Sequence, residues 1–204
     1  EPLASLDAAR KAEILPYVEH LRDELRLPII YVSHAVEEVV RIADTVVLLA
    51  DGRTVATGGV NDIFGRLDLR RHTGAFEAGV VLTARIVAHD AQDGVTTLSH
   101  ASGMLTVAQM RGAPGEAVRL RVRARDVAIA VGDPGTISIR NRLNATVREI
   151  GPAIGGMIEV KLDVGGDPLV AQLMPASVRA LALERGQPVV ALIKSAAFDR
   201  PDDD

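Results

Sequence analysis

The sequence predicts two structural units, an α/β unit over residues 1–65 and an all-β unit over residues 80–204, joined by a linker at residues 66–79. Two observations carry this prediction. Helical and strand patterns alternate before the linker, and short strands bounded by turn residues follow it. The length of 204 residues is enough for two small domains that each bury a core.

The α/β unit begins with a helix predicted after Asp7, a typical N-cap residue, with apolar residues at helical spacing. Pro16 lies within that pattern and predicts a kink or a break into two helices. The apolar run at residues 29–33 predicts a strand buried on both faces of a parallel sheet. After a second short helix, Asp51-Gly52 supplies the positive φ angles of a tight turn and predicts a β-hairpin.

The all-β unit contains many short strands with regular turn signals, which is typical of a barrel or a sandwich. A short helix is predicted around residues 177–183, ended by a glycine in a C-cap position. The predicted strands cover residues 81–89, 95–99, 104–107, 117–122, 126–131, 141–150, 157–164, 169–173 and 189–194.

Four arginines alternate with other residues near the fourth of these strands: Arg119, Arg121, Arg123 and Arg125. We interpret this row as the solvent-exposed face of the strand. The net charge is −4, so a footprint for a nucleic-acid backbone is not expected. Aromatic residues make up 2% of the chain, which also disfavours nucleic-acid binding by base stacking.

Composition also limits the chemistry. The sequence has no cysteine, which excludes disulfides and thiolate metal sites and is compatible with a reducing compartment. The five histidines are scattered without ligand spacing, so a metal site is not expected. No apolar run is long enough to cross a bilayer, and we expect a cytoplasmic location.

The first seven residues read Glu-Pro-Leu-Ala-Ser-Leu-Asp, and an apolar segment further on ends in Tyr-Val-Ser-His at residues 31–34. This arrangement resembles the ATP-binding subunits of ABC transporters. The first run resembles the end of the Walker B segment followed by the D-loop, and His34 resembles the switch histidine of the H-loop. The resemblance continues through residues 35–38, the hairpin and the Thr-Gly-Gly at residues 57–59, and covers residues 1 to about 65.

The resemblance implies ATP hydrolysis. Glu1 would polarise the attacking water, His34 would contact the γ-phosphate, and Asp7 would couple the two nucleotide sites of a homodimer. It also implies ATP and Mg²⁺ as ligands of the full-length parent and a membrane permease as partner. The sequence contains neither a Gly-x-x-x-x-Gly-Lys-Ser/Thr loop nor a Ser-Gly-Gly-Gln signature. We therefore expect this chain to be part of a longer protein and to be inactive in ATP hydrolysis by itself.

A second motif, at residues 137–147, resembles the Ser-Ala-Arg-Asn start of the molybdate-binding Mop domain of TOBE type. The resemblance spans residues 136–198, and residues 80–135 are expected to supply the preceding half of the barrel. Domains of this type fold as small OB-like barrels and bind a tetrahedral oxyanion between two copies. The resemblance implies six oxyanion-binding residues, namely Ser138, Arg140, Asn141, Ser177, Lys194 and Ser195.

Molybdate is a tetrahedral dianion, and a site for it needs hydrogen-bond donors and positive charge. The serines offer hydroxyls, and the arginine and lysine offer charge. An alternative is that Ser138 and Asn141 satisfy backbone groups at a strand start and that Lys194 lies at an exposed strand end. The chain also departs from the family pattern, with Met174 where a threonine is common and Asn144-Ala145 in place of Pro-Gly.

The sequence thus predicts the α/β remnant of an ABC-type P-loop ATPase domain followed by an all-β, OB-like barrel of TOBE/Mop type. The predicted function is the ATP-binding subunit of an ABC importer for molybdate, peripheral on the inner face of the membrane, whose barrel senses molybdate. Two alternatives remain open. One is an importer ATPase for another solute, such as sulfate, polyamine, iron or sugar, and the other is a non-enzymatic molybdate-binding or storage protein.

Overall fold

The computed structural model describes residues 1–73, 79–194 and 198–199. The first part of the chain forms small helices and one hairpin. Its elements are α1 (Ala8–Asp23), α2 (Val36–Ile42), β1 (Thr45–Ala50), β2 (Arg53–Gly59), α3 (Val60–Phe64) and α4 (Arg70–Thr73). Among the described helices, none is long and apolar enough to cross a membrane.

Helix α1 begins after Asp7, whose Oδ1 accepts a hydrogen bond from the backbone N–H of Arg10 at 2.9 Å, so the predicted N-cap is confirmed. The helix continues through Pro16 to Asp23 as one element, and the predicted break into two helices is wrong. Packing next to the proline explains the continuity. Leu15 is buried and Val18 packs against the same small cluster, which outweighs the loss of one helical hydrogen bond.

Residues 29–33 form neither a helix nor a strand, so the predicted buried strand is a second correction. The side chain of Ile30 is 96% exposed, and Val32 is exposed as well. A β-strand requires a neighbour that accepts and donates its backbone hydrogen bonds, and no described strand pairs with this segment.

The hairpin is confirmed. Strands β1 and β2 pair antiparallel from Thr45 opposite Gly59 to Ala50 opposite Arg53. The turn residues Asp51 and Gly52 have φ angles of 50° and 71°, as a type I′ turn requires. Helix α3 follows β2 and packs the buried Ile63 and Phe64 against the hairpin.

The rest of the described chain forms two antiparallel five-stranded sheets, in the orders β12-β6-β3-β4-β5 and β10-β9-β8-β11-β7. All nine predicted strands are present. The predicted helix begins two residues earlier than expected and ends at Ala180 with Leu181 as its C-cap, so the predicted glycine C-cap is wrong. The elements are β3 (Gly79–Asp90), β4 (Val95–His100), β5 (Gly103–Ala108), β6 (Ala117–Arg123), β7 (Val127–Ala130), β8 (Asn141–Ile154), β9 (Met157–Val164), β10 (Asp167–Leu173), α5 (Pro175–Ala180), β11 (Pro188–Ile193) and β12 (Phe198–Asp199).

The two sheets share one hydrophobic core. Fully buried leucines come from both, including Leu82 and Leu120 from the first sheet and Leu143 and Leu162 from the second. In the second sheet, β10 at one edge also lies against β7 at the other edge, so the sheet curls into a barrel-like form.

The α/β part docks on the outer face of the first sheet. Val81 of β3 belongs to the hydrophobic cluster of the α/β part, and its backbone N–H and C=O bond to the side-chain amide of Asn61 at 2.8 and 2.7 Å. Arg119 of β6 donates to the backbone carbonyls of Val40 and Ala43. The outer face around Val81 and Arg121 is therefore covered by protein, whereas Thr83 and Arg85, farther along the same face of β3, are exposed.

This docking overturns our interpretation of the arginine row as a solvent-exposed face. Arg121 lies directly opposite Val81 in the sheet and is only 8% exposed, while Arg119 and Arg123 are half-buried. Of the four arginines, only Arg125 is exposed. Alternation along a strand identifies two faces, but it does not reveal that a separate unit covers the polar one.

Residues 66–73, predicted as the first part of a linker, are packed onto both units. Leu67 is buried in the core of the two sheets, and Leu69 is buried in the cluster of the α/β part. Arg66 and Asp68, on either side of Leu67 in the sequence, form an exposed ion pair.

Candidate functional site

The residues predicted for ATP chemistry begin with Glu1 and His34, and the fold brings these two together. His34 Nδ1 lies 2.8 Å from Glu1 Oε1, although 33 positions separate the residues. An ionised carboxylate only accepts hydrogen bonds, so the histidine donates through Nδ1. This bond, followed by the charge of His34, lowers the pKa of Glu1 below its usual value. Both side chains are exposed, which leaves them accessible to a ligand.

Two features position these residues. Residues 1–6 form a turn in which the N–H of Leu6 donates to the carbonyl of Leu3 at 3.1 Å, and Leu3 is buried against Leu15 and Ile42. His34 follows the segment at residues 29–33 and directly precedes the N-cap residue of α2.

Asp7, the third predicted catalytic residue, caps α1 and lies 4.0 Å from the guanidinium of Arg10. The described contacts of its side chain are with the first turn of its own helix. Asp7 lies six residues after Glu1 in the sequence, and it is exposed at the surface of the α/β part.

Sequence reasoning missed a buried carboxylate behind His34. Glu38 of α2 has a side chain only 5% exposed, and it accepts three hydrogen bonds. Lys11 Nζ donates to Oε1 at 2.7 Å, and the hydroxyls of Tyr31 and Ser33 donate to Oε2 at 2.9 and 2.7 Å. No local pattern signals this cluster, because its donors come both from α1 and from the segment before His34.

The protonation states follow from this arrangement. Burial raises the pKa of Glu38, but the hydrogen bonds from Lys11, Ser33 and Tyr31 lower it by more, so the net pKa lies below its usual value. Burial and the bond to Glu38 raise the pKa of Tyr31 well above its usual value, so Tyr31 stays a phenol that donates.

The residues predicted to bind an oxyanion fall into two groups. The first lies where β8 begins and β11 ends. Ile193 pairs with Asn141 in the register of these strands, so Arg140 and Lys194 each lie one residue beyond that pair at the same end. Arg140 and Lys194 are exposed, as is Ser138 in the preceding loop. Ser195 lies outside the described residues.

Asn141 has a different environment from its neighbours. It is fully buried, its Oδ1 accepts from the N–H of Thr106 at 2.6 Å, and its Nδ2 donates to the carbonyl of Thr106 at 2.9 Å. Thr106 belongs to β5 of the other sheet, so this side chain joins the two sheets. The geometry favours the structural alternative for Asn141 rather than contact with a ligand.

The second group consists of Ser177, which is half-buried in α5. Helix α5 follows the end of β10 at Leu173, which pairs with Ile158 of β9, and Ile158 pairs in turn with Ala153 near the end of β8. Ser177 therefore lies toward the opposite end of β8 from Arg140 and Lys194. The exposed Met174 forms the N-cap position of α5 without a side-chain hydrogen bond.

Comparison with known proteins matches both parts of the chain. The TOBE domain family matches residues 137–198. The molybdenum import ATP-binding protein ModC of Mesorhizobium japonicum is 46% identical over 200 residues, which cover 98% of this chain and 54% of that protein. ModC of Pseudomonas fluorescens is also 46% identical, over 97% of this chain and 55% of its own length. The chain thus spans about half the length of these curated relatives.

A solved structure resembles part of this chain. The cytoplasmic molybdate-binding protein ModG, crystallised with molybdate bound, matches with a TM-score of 0.52 and 24% identity. The match covers 58% of this chain and 92% of that protein. At this level of identity, the likeness describes the fold, and it agrees with the expected OB-like barrel.

Proposed function

We propose that this chain, which is similar to a molybdenum import ATP-binding protein over 98% of its length, is part of the ATP-binding subunit of an ABC importer for molybdate. The observation that carries the proposal is the identity of 46% across both units. The 2.8 Å contact between His34 and Glu1 supports it independently, because the two residues that ATP hydrolysis would need are adjacent.

In the proposed reaction, Glu1 orients the water that attacks the γ-phosphate. Its lowered pKa keeps the carboxylate ionised near neutral pH, so that it accepts a hydrogen bond from the water. A charged His34 donates at both ring nitrogens. With Nδ1 directed at Glu1, Nε2 would donate to a phosphate oxygen and hold the phosphate beside the water.

ATP hydrolysis also requires groups that this sequence does not contain. A phosphate-binding loop would cradle the β- and γ-phosphates, and Mg²⁺ would neutralise their charge. We propose that the rest of the subunit supplies these groups and also supplies strands beside residues 29–33. The exposed Ile30 and Val32 fit this proposal, since apolar residues at that density are typical of a strand between two neighbours.

The barrel is proposed to bind molybdate between two copies of the chain. Within one copy, Arg140, Lys194 and Ser138 lie toward one end of β8 and Ser177 toward the other. A single ion could contact both groups only if the two ends came from different copies. We therefore propose a homodimer, attached to a membrane permease at the inner face of the membrane, in which Asn141 fixes the strand start beside Arg140.

The experiment that tests the function is transport by the complete subunit, reconstituted with its permease in proteoliposomes. ATP hydrolysis coupled to molybdate uptake, and its loss in Glu1→Gln, would support the proposal. Uptake of sulfate, polyamine, iron or sugar in place of molybdate would point to an importer of that solute. Molybdate binding without any ATP hydrolysis by the complete subunit would favour a binding or storage protein.

A further inference from the structure

The buried carboxylate of Glu38 lies at the junction of three segments. It is carried by α2, it accepts from Lys11 on α1, and it accepts from Tyr31 and Ser33 in the segment before His34. A carboxylate that is almost completely buried requires such donors, because removing a charge from water without them is costly. The network therefore fixes the segment before His34 to both helices.

The hydrogen bonds of Ser33 connect the residues on both sides of His34 to the buried carboxylate of Glu38. The hydroxyl of Ser33 donates to Glu38 at 2.7 Å, and its oxygen accepts from the backbone N–H of Ala35 at 3.0 Å. The residues before and after His34 are thus tied to one buried group. His34 itself is exposed, so its orientation toward Glu1 depends on the backbone rather than on packing of its ring.

We propose that Glu38 is a positioning residue that holds His34 against Glu1 by anchoring Ser33 and Ala35. Lys11 completes the arrangement, because it ties the same carboxylate to the helix that follows the Glu1–Asp7 segment. This inference rests on the proposed function for its consequence in catalysis, but the anchoring itself can be measured without nucleotide.

The ionisation of Glu1 is a direct measure of whether His34 is in place. The hydrogen bond and charge of His34 lower the pKa of Glu1, whereas the charge of Glu38 has a weaker influence that raises it. Loss of the Glu38 charge alone would lower the pKa of Glu1 further. Displacement of His34 would raise it toward the usual value of about 4.3. The two effects have opposite signs.

The test is the pKa of the Glu1 carboxyl in the 204-residue chain, followed by NMR in the wild type and in Glu38→Gln and Ser33→Ala. Ser33→Ala keeps the charge of Glu38 and removes only the hydroxyl that links residues 33 and 35 to it. This variant therefore tests the proposal even if Glu38→Gln does not fold. We expect the pKa of Glu1 to rise in both variants and to stay low in Ser33→Thr, which keeps the hydroxyl. The α-amino group of Glu1 is common to all of them.

Glu19→Gln is the matched control. Glu19 pairs with Arg41 at 2.7 and 3.0 Å and also links α1 to α2, but it has no described bond to the segment before His34. It should leave the pKa of Glu1 unchanged. An unchanged or lowered pKa in both Glu38→Gln and Ser33→Ala, or an equal rise in Glu19→Gln, would overturn the proposal.

The catalytic arm uses the complete subunit with its permease. We expect Glu38→Gln and Ser33→Ala to lower kcat for ATP about tenfold with little change in KM, since misplacing a catalytic group chiefly affects the chemical step. If the complete wild-type subunit hydrolyses no ATP, the proposed function fails, while the NMR result still decides whether Glu38 positions His34. A raised pKa of Glu1 with full ATPase activity would overturn the catalytic part of the inference.

Discussion

Asn141 on β8 and Thr106 on β5 are joined by two hydrogen bonds, of 2.6 and 2.9 Å, between the side-chain amide of one and the backbone of the other. This pair connects the two sheets at a fully buried position. The amide substitutes for a neighbouring strand at a point where β5 lies at the edge of its sheet. The pair also fixes the start of β8, next to the exposed Arg140, which is one of the residues predicted to contact an oxyanion.

Replacing the fully buried Asn141 by alanine should lower the free energy of unfolding by about 2–4 kcal/mol, because the N–H and C=O of the half-buried Thr106 both lose their partner. Denaturant unfolding measures this change. Asn144→Ala, at an exposed position of the same strand, is the control and should change the free energy by less than about 0.5 kcal/mol. Equal effects of the two variants would contradict the role assigned to Asn141.

His100 should be a second polar contributor to barrel stability. Its side chain is 1% exposed, with Nε2 at 3.0 Å from Asp167 Oδ2 and Nδ1 at 2.8 Å from Ser102 Oγ. We expect His100→Leu to lower the free energy of unfolding by about 1–3 kcal/mol, since Ser102 and Asp167 lose a buried partner. Asp167→Ala should cost less, because that carboxylate is partly in water. The reverse order in thermal unfolding would refute this account.

Gly165, in the turn between β9 and β10, should not tolerate a side chain. Its φ is +71°, and a Cβ there would meet the Cβ and carbonyl carbon of Ala101 at 3.0 Å. Gly94 has a similar φ of +63° with nothing within 4 Å, so it isolates the backbone effect. We expect Gly94→Ala to cost about 1 kcal/mol and Gly165→Ala at least about 1 kcal/mol more. Similar midpoints of urea unfolding for both variants would show that the contact with Ala101 relaxes freely.

The ion pair of Asp163 and Arg148 predicts a dependence of stability on pH. The bond from Arg148, at 2.8 Å, and the N–H of Gly166 lower the pKa of Asp163. A depressed folded pKa gives stability that is present above the unfolded value of about 3.9 and is lost as the pH falls through the folded value. Arg148 is exposed, so the contribution should stay below about 1 kcal/mol.

The measurement for this pair is the free energy of unfolding of the wild type and Asp163→Asn between pH 3 and 7. The wild type should be the more stable protein at neutral pH, and the difference should shrink as the pH drops below about 4. A difference that stays constant across the range would mean that ionisation of Asp163 does not contribute.

Oxyanion binding by the barrel gives a prediction that tests the charges at the end of β8. We expect Arg140→Ala and Lys194→Ala each to weaken molybdate binding about tenfold, since each removes a charge-assisted hydrogen bond. Calorimetric titration of the 204-residue chain with molybdate, sulfate and phosphate measures this. Arg53→Ala, exposed in the hairpin of the other unit, changes the net charge equally and should have no effect. No binding of any of the three anions would remove the oxyanion assignment and leave the barrel as a protein-contact unit.

The elements that could be predicted from sequence are those whose determinants are local. Asp51 and Gly52 predict the hairpin because a two-residue turn demands positive φ, and alternation along β8 predicts a strand with one buried face. The strand prediction for residues 29–33 was wrong for the opposite reason. The apolar character of this segment is that of a strand, but the strand also depends on neighbours that no local pattern supplies.

The same distinction between local and non-local determinants applies to the candidate site. The adjacency of His34 and Glu1 could be expected only from the resemblance to ABC ATPases, since nothing in the sequence connects positions 33 residues apart. Glu38 was missed because its charged donor Lys11 lies 27 positions away and its own helix gives no sign that this carboxylate is buried. Asn141 was assigned to a ligand site because the motif identifies the position, whereas the choice between ligand contact and backbone support depends on Thr106 in another strand.

Strand β3 contributes residues to the hydrophobic clusters of both parts of the molecule. Leu82 points into the core of the sheets, while Val81, the residue before it, completes the cluster of the α/β part and is held by Asn61. A barrel excised at this boundary would uncover Val81 and Arg121 together. The barrel therefore cannot be exchanged between proteins as an independent unit. A chimaera that joins it to another ATPase would also need the surface around Asn61.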